Sequence, residues 1–208
     1  MQHLAVRTSL RINQDDKDWE KTAQGRWYSY KYGFGALDGY SYVMAAKTWK
    51  LVKPQSWFEL PSVQLNNGTM DLEDKMSGGD TITREGVTSS IEVANEMLID
   101  ANLETLEHIT VKVWIDHTRR GDVQVELVSP SGVKSVLAAK RRYDSAKTGF
   151  PGWKFMSLKH WWVWPSVYGD VHMLTKHIGR RTLSESGRSA CPRSPRTTIP
   201  KVVSSAGR

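Results

Sequence analysis

Period-two alternation of apolar and polar side chains dominates the middle of the chain. In HITVKVWIDH, Ile109, Val111, Val113 and Ile115 fall on one side and Thr110, Lys112, Trp114 and Asp116 on the other, as a strand with one buried face requires. DVQVELVSP repeats the pattern, with Val123, Val125 and Leu127 opposed to Gln124 and Glu126. The short connection HTRRG predicts that these two strands pair as an antiparallel hairpin. The SPSG that follows reads as a turn, because Pro130 presets φ and Gly132 accepts a positive one. KSVLAAKRR and GWKFMSLKHW read as two further strands, and SWFELPSVQL as another whose Pro61 marks an edge or an end. NNGT supplies a turn, LEDKMSGGDTITREG a loop, and SSIEVANEMLIDANLETLE fits either an extended segment or a short helix.

Helical spacing is clearest at the start. MQHLAVRTSLRI reads as part of a short helix, followed by the polar connector NQDDKDWEKTAQGRW. In YSYKYGFGALDGYSYVMAAKTW, Asp38 is placed to cap a helix that carries Tyr40, Val43, Met44 and Lys47 on one face. Gly33 and Gly35 fit a turn between closely packed backbones better than a phosphate loop, since no third glycine follows at the dinucleotide spacing. No repeat of 20 to 50 residues is apparent. The pattern predicts a mainly β protein with a short helical segment in front.

Composition narrows the picture. The 208 residues, 39% apolar with nine Trp, suit one packed domain with appendages. No apolar run approaches the roughly 20 residues that span a bilayer, and the first residues lack the apolar stretch of a secretory signal. The net charge of +7 is uneven: residues 162–208 hold eight Lys or Arg against Asp170 and Glu185, so residues 1–161 are nearly neutral. The Ser-, Pro- and Arg-rich SESGRSACPRSPRTTIPKVVSSAGR predicts a disordered basic tail over 162–208. Its cations are not interleaved with stacking aromatics, which argues against nucleic-acid binding. Cys191 stands alone and closes no internal disulfide.

Candidate chemistry is sparse. No serine sits in a G-x-S-x-G elbow, and the single cysteine lies in the tail. His117, beside Asp116, Arg119 and Arg120, fits a solvated turn, whereas His3 and His160 have no partner readable from spacing. His172 and His177 are five apart, unlike the three or four that bring two imidazoles onto one helical face for zinc. Arg120-Gly121-Asp122 spells an adhesive tripeptide at an expected hairpin tip, but a glycine among polar residues also suits any tight turn. Lys140-Arg141-Arg142 is a possible dibasic processing site, expected to be protected at the end of a strand. Asn67-Gly68-Thr69 is an N-glycosylation acceptor pattern, meaningful if the chain is secreted.

Several of these segments together resemble one family. MQHLAVRT, YKYGFGALDGYSYVMAAKTW, LEHITVKVWIDHTRRGDVQVELVSPSG and SVLAAKRRYDSAKTGFPGWKFMSLKHW are similar to the kexin and furin group of subtilisin-like proprotein convertases, fungal kexins in particular. Residues 1–49 resemble the last helices of the family's catalytic domain, and 52–161 its P domain, also called Homo B. The motifs occur in family order: Arg120 to Asp122, Leu127 to Pro130 with Gly132, Gly149 with Phe150 and Trp153, then Phe155, Met156, His160 and Trp161.

The resemblance implies a P domain built as a jelly-roll-type β-sandwich that stabilises a subtilisin-like catalytic domain. The family consists of calcium-dependent serine endoproteases of the secretory pathway, active late in the Golgi, that cleave after paired basic residues. Its triad, oxyanion-hole Asn and substrate-reading acids fall upstream of the matched region, so no catalytic or calcium-binding residue is carried over. This chain alone is expected not to cleave. Trp57, Trp114, Trp153 and Phe155 are the candidates for core or interdomain packing, and no membrane segment is expected. Met1 falls where the family has a residue inside a helix, and the likeness stops after Trp161. Both features suggest a gene-model fragment, with a frameshift or intron read-through supplying 162–208 and leaving the P domain incomplete. The alternative reading is an independent β-sandwich that binds protein or glycan surfaces.

Overall fold

The computed structural model describes residues 1–54, 56–73, 76–103, 106–160, 169–178, 196–198 and 202–206. The chain opens with helix α1 (Gln2–Thr8), a small antiparallel ribbon of β1 (Glu20–Lys21) and β2 (Trp27–Tyr28), and helix α2 (Gly39–Lys47). Asp38 caps α2 as its position predicts, accepting from the Ser41 backbone N–H at 3.1 Å. Gly35 is the point where the glycine-rich approach needs glycine. Its φ is +116°, and a Cβ there would lie 2.2 Å from the Leu10 carbonyl oxygen. The close approach lets Leu10 and Ala36 pair as an isolated bridge, so the expected packing turn is present.

The strands follow: β3 (Ser56–Glu59), β4 (Thr69–Met70), β5 (Met76–Ser77), β6 (Asp80–Thr81) and β7 (Val87–Val93), then helix α3 (Asn95–Asp100). After them come β8 (His108–Ile115), β9 (Val123–Val128), β10 (Lys134–Ala138), β11 (Phe150–Ser157), β12 (Gly169–His177), β13 (Arg196–Thr198) and β14 (Val202–Ala206). The ambiguous SSIEVANEMLID stretch is both things in turn, strand β7 and then α3.

Among the described residues, one sheet runs β10-β9-β12-β7 and a second β3-β14-β8-β13-β6, with β11 also paired to β8. The protein is mainly β, a two-sheet sandwich. Its core is the expected alternation: Ile109, Val111, Val113 and Ile115 from β8 join Val123, Val125 and Leu127 from β9, Phe150, Leu98 and Met173 in one buried cluster. Each large side chain buried this way contributes about 1.5 to 3 kcal/mol.

The expected β8–β9 hairpin is not formed. β8 and β9 lie in different sheets and bury their apolar rows in the same core. Residues 116–122 are a crossover, and at about 3.3 Å per residue they easily bridge the roughly 10 Å between packed sheets. The crossover is tied down. Gly121 donates its N–H to the Asp144 carbonyl at 3.1 Å and accepts from Arg141 N–H at 2.9 Å, while Asp144 Oδ2 binds Arg120 at 2.7 Å and Arg141 at 3.1 Å. Arg120–Asp122 is thus a 3-10 turn with a buried glycine, and no adhesive tip. Arg141 and Arg142 lie past the end of β10, where Arg141 is held by Asp144 and by the Arg120 carbonyl.

The expectation of a disordered tail from 162 onward is corrected at Gly169–His177. β12 lies between β9 and β7, antiparallel to both. It places Met173 and Thr175 inside, with 4% and 0% exposure, while His172, Leu174 and Lys176 are only partly buried. The basic composition around β12 conceals this alternation. β13 and β14, also beyond Trp161, pair with β8. Residues 161–168 and 179–195 lie outside the described residues.

Candidate functional site at the junction of the N-terminal segment and the sandwich

The N-terminal segment holds itself together before it meets the sheets. The α1 carbonyls left open at its end are closed by Arg26, whose Nη1 donates to Val6 O at 2.9 Å. Trp19 is buried and donates its indole N–H to Ile12 O at 3.0 Å. The Arg11 guanidinium lies 4.1 Å from the Trp27 ring centre, a cation–π contact. Asp16 is held down to about 2 by its hydrogen bond to Lys31, with the Asp18 backbone N–H and Tyr32 hydroxyl adding to it.

Three contacts then fasten this segment to the sandwich. His3 on α1 and Glu107, immediately before β8, are both buried and lie 2.7 Å apart. Lys159, after β11, is buried, and its Nζ meets Glu20 Oε2 at 2.5 Å and the Tyr30 ring centre at 5.4 Å. The Tyr30 hydroxyl accepts the Val136 backbone N–H at 2.7 Å. β10 is the edge of its sheet and has a bulge beyond Val136, so Tyr30 satisfies a backbone donor on an otherwise open edge.

The junction is polar below the surface as well. Ser135 and Ser157 hydroxyls meet at 2.6 Å inside the domain, and Ser157 Oγ also accepts from Lys159 N–H. His160 is buried next to Lys159. Burial, and secondarily the Lys159 charge, push its imidazole down to about 4, so it is neutral at physiological pH. Neither ring nitrogen of His160 has a hydrogen-bond partner among the described residues. Among the described residues, no three His, Cys, Asp or Glu side chains gather as metal ligands, and no helix is long and apolar enough to cross a membrane.

The aromatic candidates are spread between the core margin and the surface. Phe155 reaches the core margin, 5.5 Å from the Phe150 ring. Trp114 is half-buried on the outer side of β8 with Lys112 Nζ 4.5 Å from its ring, and Trp153 stacks under Arg120 at 4.6 Å. Trp57 is 65% exposed on edge strand β3 and takes no core position. Asn67 is exposed on a turn. Of the residues that join the two parts, His3 has no partner readable from spacing, and Glu20, Tyr30, Glu107 and Lys159 carry no local pattern. Only the resemblance, by setting 1–49 beside 52–161, signalled that a junction had to exist.

The proprotein convertase P-domain family model matches residues 106–165. Protease KEX1 of Kluyveromyces lactis is 42% identical over 161 residues, covering 77% of this chain and 20% of that protein. Kexin of Saccharomyces cerevisiae is 36% identical over 162 residues, covering 77% and 19%. Proprotein convertase subtilisin/kexin type 6 of Homo sapiens is 35% identical over 161 residues, covering 77% and 16%. The chain therefore spans about a fifth of the length of the curated relatives it matches. A serine protease of Aeromonas sobria, solved with its chaperone, shares the fold at a TM-score of 0.68 and 17% identity, over 99% of this chain and 39% of that one. Residues 106–165 thus match the proprotein convertase P-domain family, and over about three quarters of its length the chain is similar to kexin-like proprotein convertases.

Proposed function

We propose that this chain is the stabilising module of a calcium-dependent, kexin-like serine endoprotease of the late secretory pathway. Residues 1–49 would form the end of the subtilisin-like catalytic domain, and the sandwich would be the P domain fastened to it. Cleavage after paired basic residues belongs to the whole protease. On this proposal the catalytic machinery belongs to other parts of the protease, and this chain does not cleave by itself.

The observation that carries this reading is the two-sidedness of the N-terminal segment. Its α1 side buries His3 and Leu4, and His3 meets Glu107 of the sandwich. α2 buries none of its nine residues, and its row of Tyr40, Val43 and Met44 is 77%, 58% and 43% exposed, continued by Leu37 at 64%. A helix with an uncovered apolar row calls for a partner, and a subtilisin-like domain supplies one. The rival glycan- or protein-binding reading loses support at two of its platforms, because cations already stack near the Trp114 and Trp153 rings.

The test is a graft. Replacing the matching segment of an active kexin with residues 1–208 should preserve secretion and cleavage of a fluorogenic Lys-Arg peptide. Val43→Asp with Met44→Asp in the same graft should abolish both. Full activity of the aspartate graft, or Lys-Arg cleavage and serine-directed labelling of the 208-residue chain alone, would refute the proposal.

A further inference from the structure

We propose that Asn67 is an N-glycosylation acceptor, carrying an oligosaccharide on its side-chain amide. The proposal rests on the secretory reading above for access to the compartment where such transfer occurs. Asn67 heads the only Asn-X-Ser/Thr pattern in the sequence. The fold adds what three letters cannot. Residues 65–68 form a tight turn closed by the Gly68 N–H donating to Leu65 O at 2.9 Å. Asn66 and Asn67 are its two corners, with φ of +43° and +51°, the positive values a type I′ turn requires and asparagine tolerates. Gly78 packs beneath the turn, where a Cβ would lie 2.6 Å from Asn67 O, and Gly79 N–H donates to Asn66 O at 3.1 Å. The inner side of the turn is thus filled by backbone. Asn67 itself is exposed, and a bulky substituent fits outward.

Position favours persistence of the glycan on the folded protein. The turn belongs to the stretch between β3 and β6, which are opposite edges of one sheet. The junction contacts His3–Glu107, Glu20–Lys159 and Tyr30–Val136 involve no residue of 65–79. A glycan here therefore leaves the clamps to the N-terminal segment clear.

In the transfer, Asn67 Nδ2 forms a bond to the anomeric carbon of a lipid-diphosphate-linked oligosaccharide. The anomeric C–O bond breaks, the lipid diphosphate departs with the electron pair, and one amide proton passes to a base of the transferase. The fold also orders events. Once β4 and β5 pair, Thr69 Oγ1 lies 2.9 Å from Ser77 Oγ, so the hydroxyl that completes the acceptor pattern is engaged. Transfer precedes closure of this hairpin.

The experiment expresses the full 208-residue chain in yeast behind a borrowed secretion leader, with a reporter acceptor sequence appended. Entry is then set by the leader, whatever the routing of the parent protease. Chains bearing the reporter glycan should carry one more, removed by an endoglycosidase. Asn67→Gly, which keeps the positive φ, and Thr69→Val should each lose that one glycan. Thr69→Ser should keep it, and Ser77→Ala should leave occupancy undiminished. A wild-type chain with the reporter glycan alone would overturn the site while leaving the endoprotease reading untouched. Retention of two glycans in Asn67→Gly would also overturn it.

Discussion

Substituting Gly121 by alanine should unlock the crossover between the two sheets. The new Cβ would lie 2.1 Å from the Arg141 carbonyl oxygen and 2.5 Å from that of Asp144. Both obstacles are backbone, and normal contact needs about 3.5 Å, so one side of the crossover must move by more than an ångström. Such overpacking costs about 1 to 3 kcal/mol. The movement also stretches the two backbone hydrogen bonds made by Gly121, at 3.1 Å and 2.9 Å, each worth about 1 kcal/mol. It disturbs the Arg120–Asp144 pair as well. A loss of about 2 to 4 kcal/mol follows, which for a chain of this size lowers the melting midpoint by about 5 to 15 °C. Thermal and urea melts followed by circular dichroism would measure it. Gly39→Ala is the control, since nothing lies within 4 Å of its Cβ and it opens α2; it should be neutral or slightly stabilising. If Gly121→Ala melts within about 2 °C of the parent, the tied crossover is not what the fold depends on.

Other perturbations probe the remaining features. Met173→Ala, which empties a buried site on β12, should cost about 2 to 5 kcal/mol in the same melts, whereas a dispensable tail would show no change. Glu20→Gln should destabilise more than Lys159→Met, because the former leaves a buried ammonium uncompensated and the latter removes it; a double-mutant cycle reads the coupling. His160 gives a pH signature. Its folded value of about 4 lies below its ordinary 6.5, so its stabilising contribution is complete above about pH 6.5 and is lost as pH falls toward 4. About 2 kcal/mol should be gone at pH 5, and His160→Gln should flatten that slope. Asp144, held down to about 2 by Arg120, acts in a separate window, losing its contribution only as pH falls from 3.8 through 2.

The residues that alternate strictly in the sequence proved readable as strands. Val111, Val113, Val123 and Val125 are all fully buried, because period two assigns a face without any knowledge of the partner strand. Pairing is another matter. The stretch 116–122 is short enough for a hairpin loop and long enough for a crossover, and what selects the crossover is Asp144, over twenty residues away. β12 was obscured because its inward row, Met173 and Thr175, is modest in hydrophobicity and set among cations. The junction was unreadable residue by residue for a related reason. Glu20 meets Lys159 across 139 positions and Tyr30 meets Val136 across 106, so nothing local announces either pair.

The central place of β12 sets a timetable for synthesis. β7 and β9 leave the ribosome with a gap between them, which only residues 169–177 can fill. Until then their backbone donors and acceptors compete for any extended segment nearby, from this molecule or from a neighbour on the same messenger RNA. Nascent chains should therefore remain dependent on holdase protection at least until translation has passed His177, and slowing elongation just before that point should lengthen their exposure.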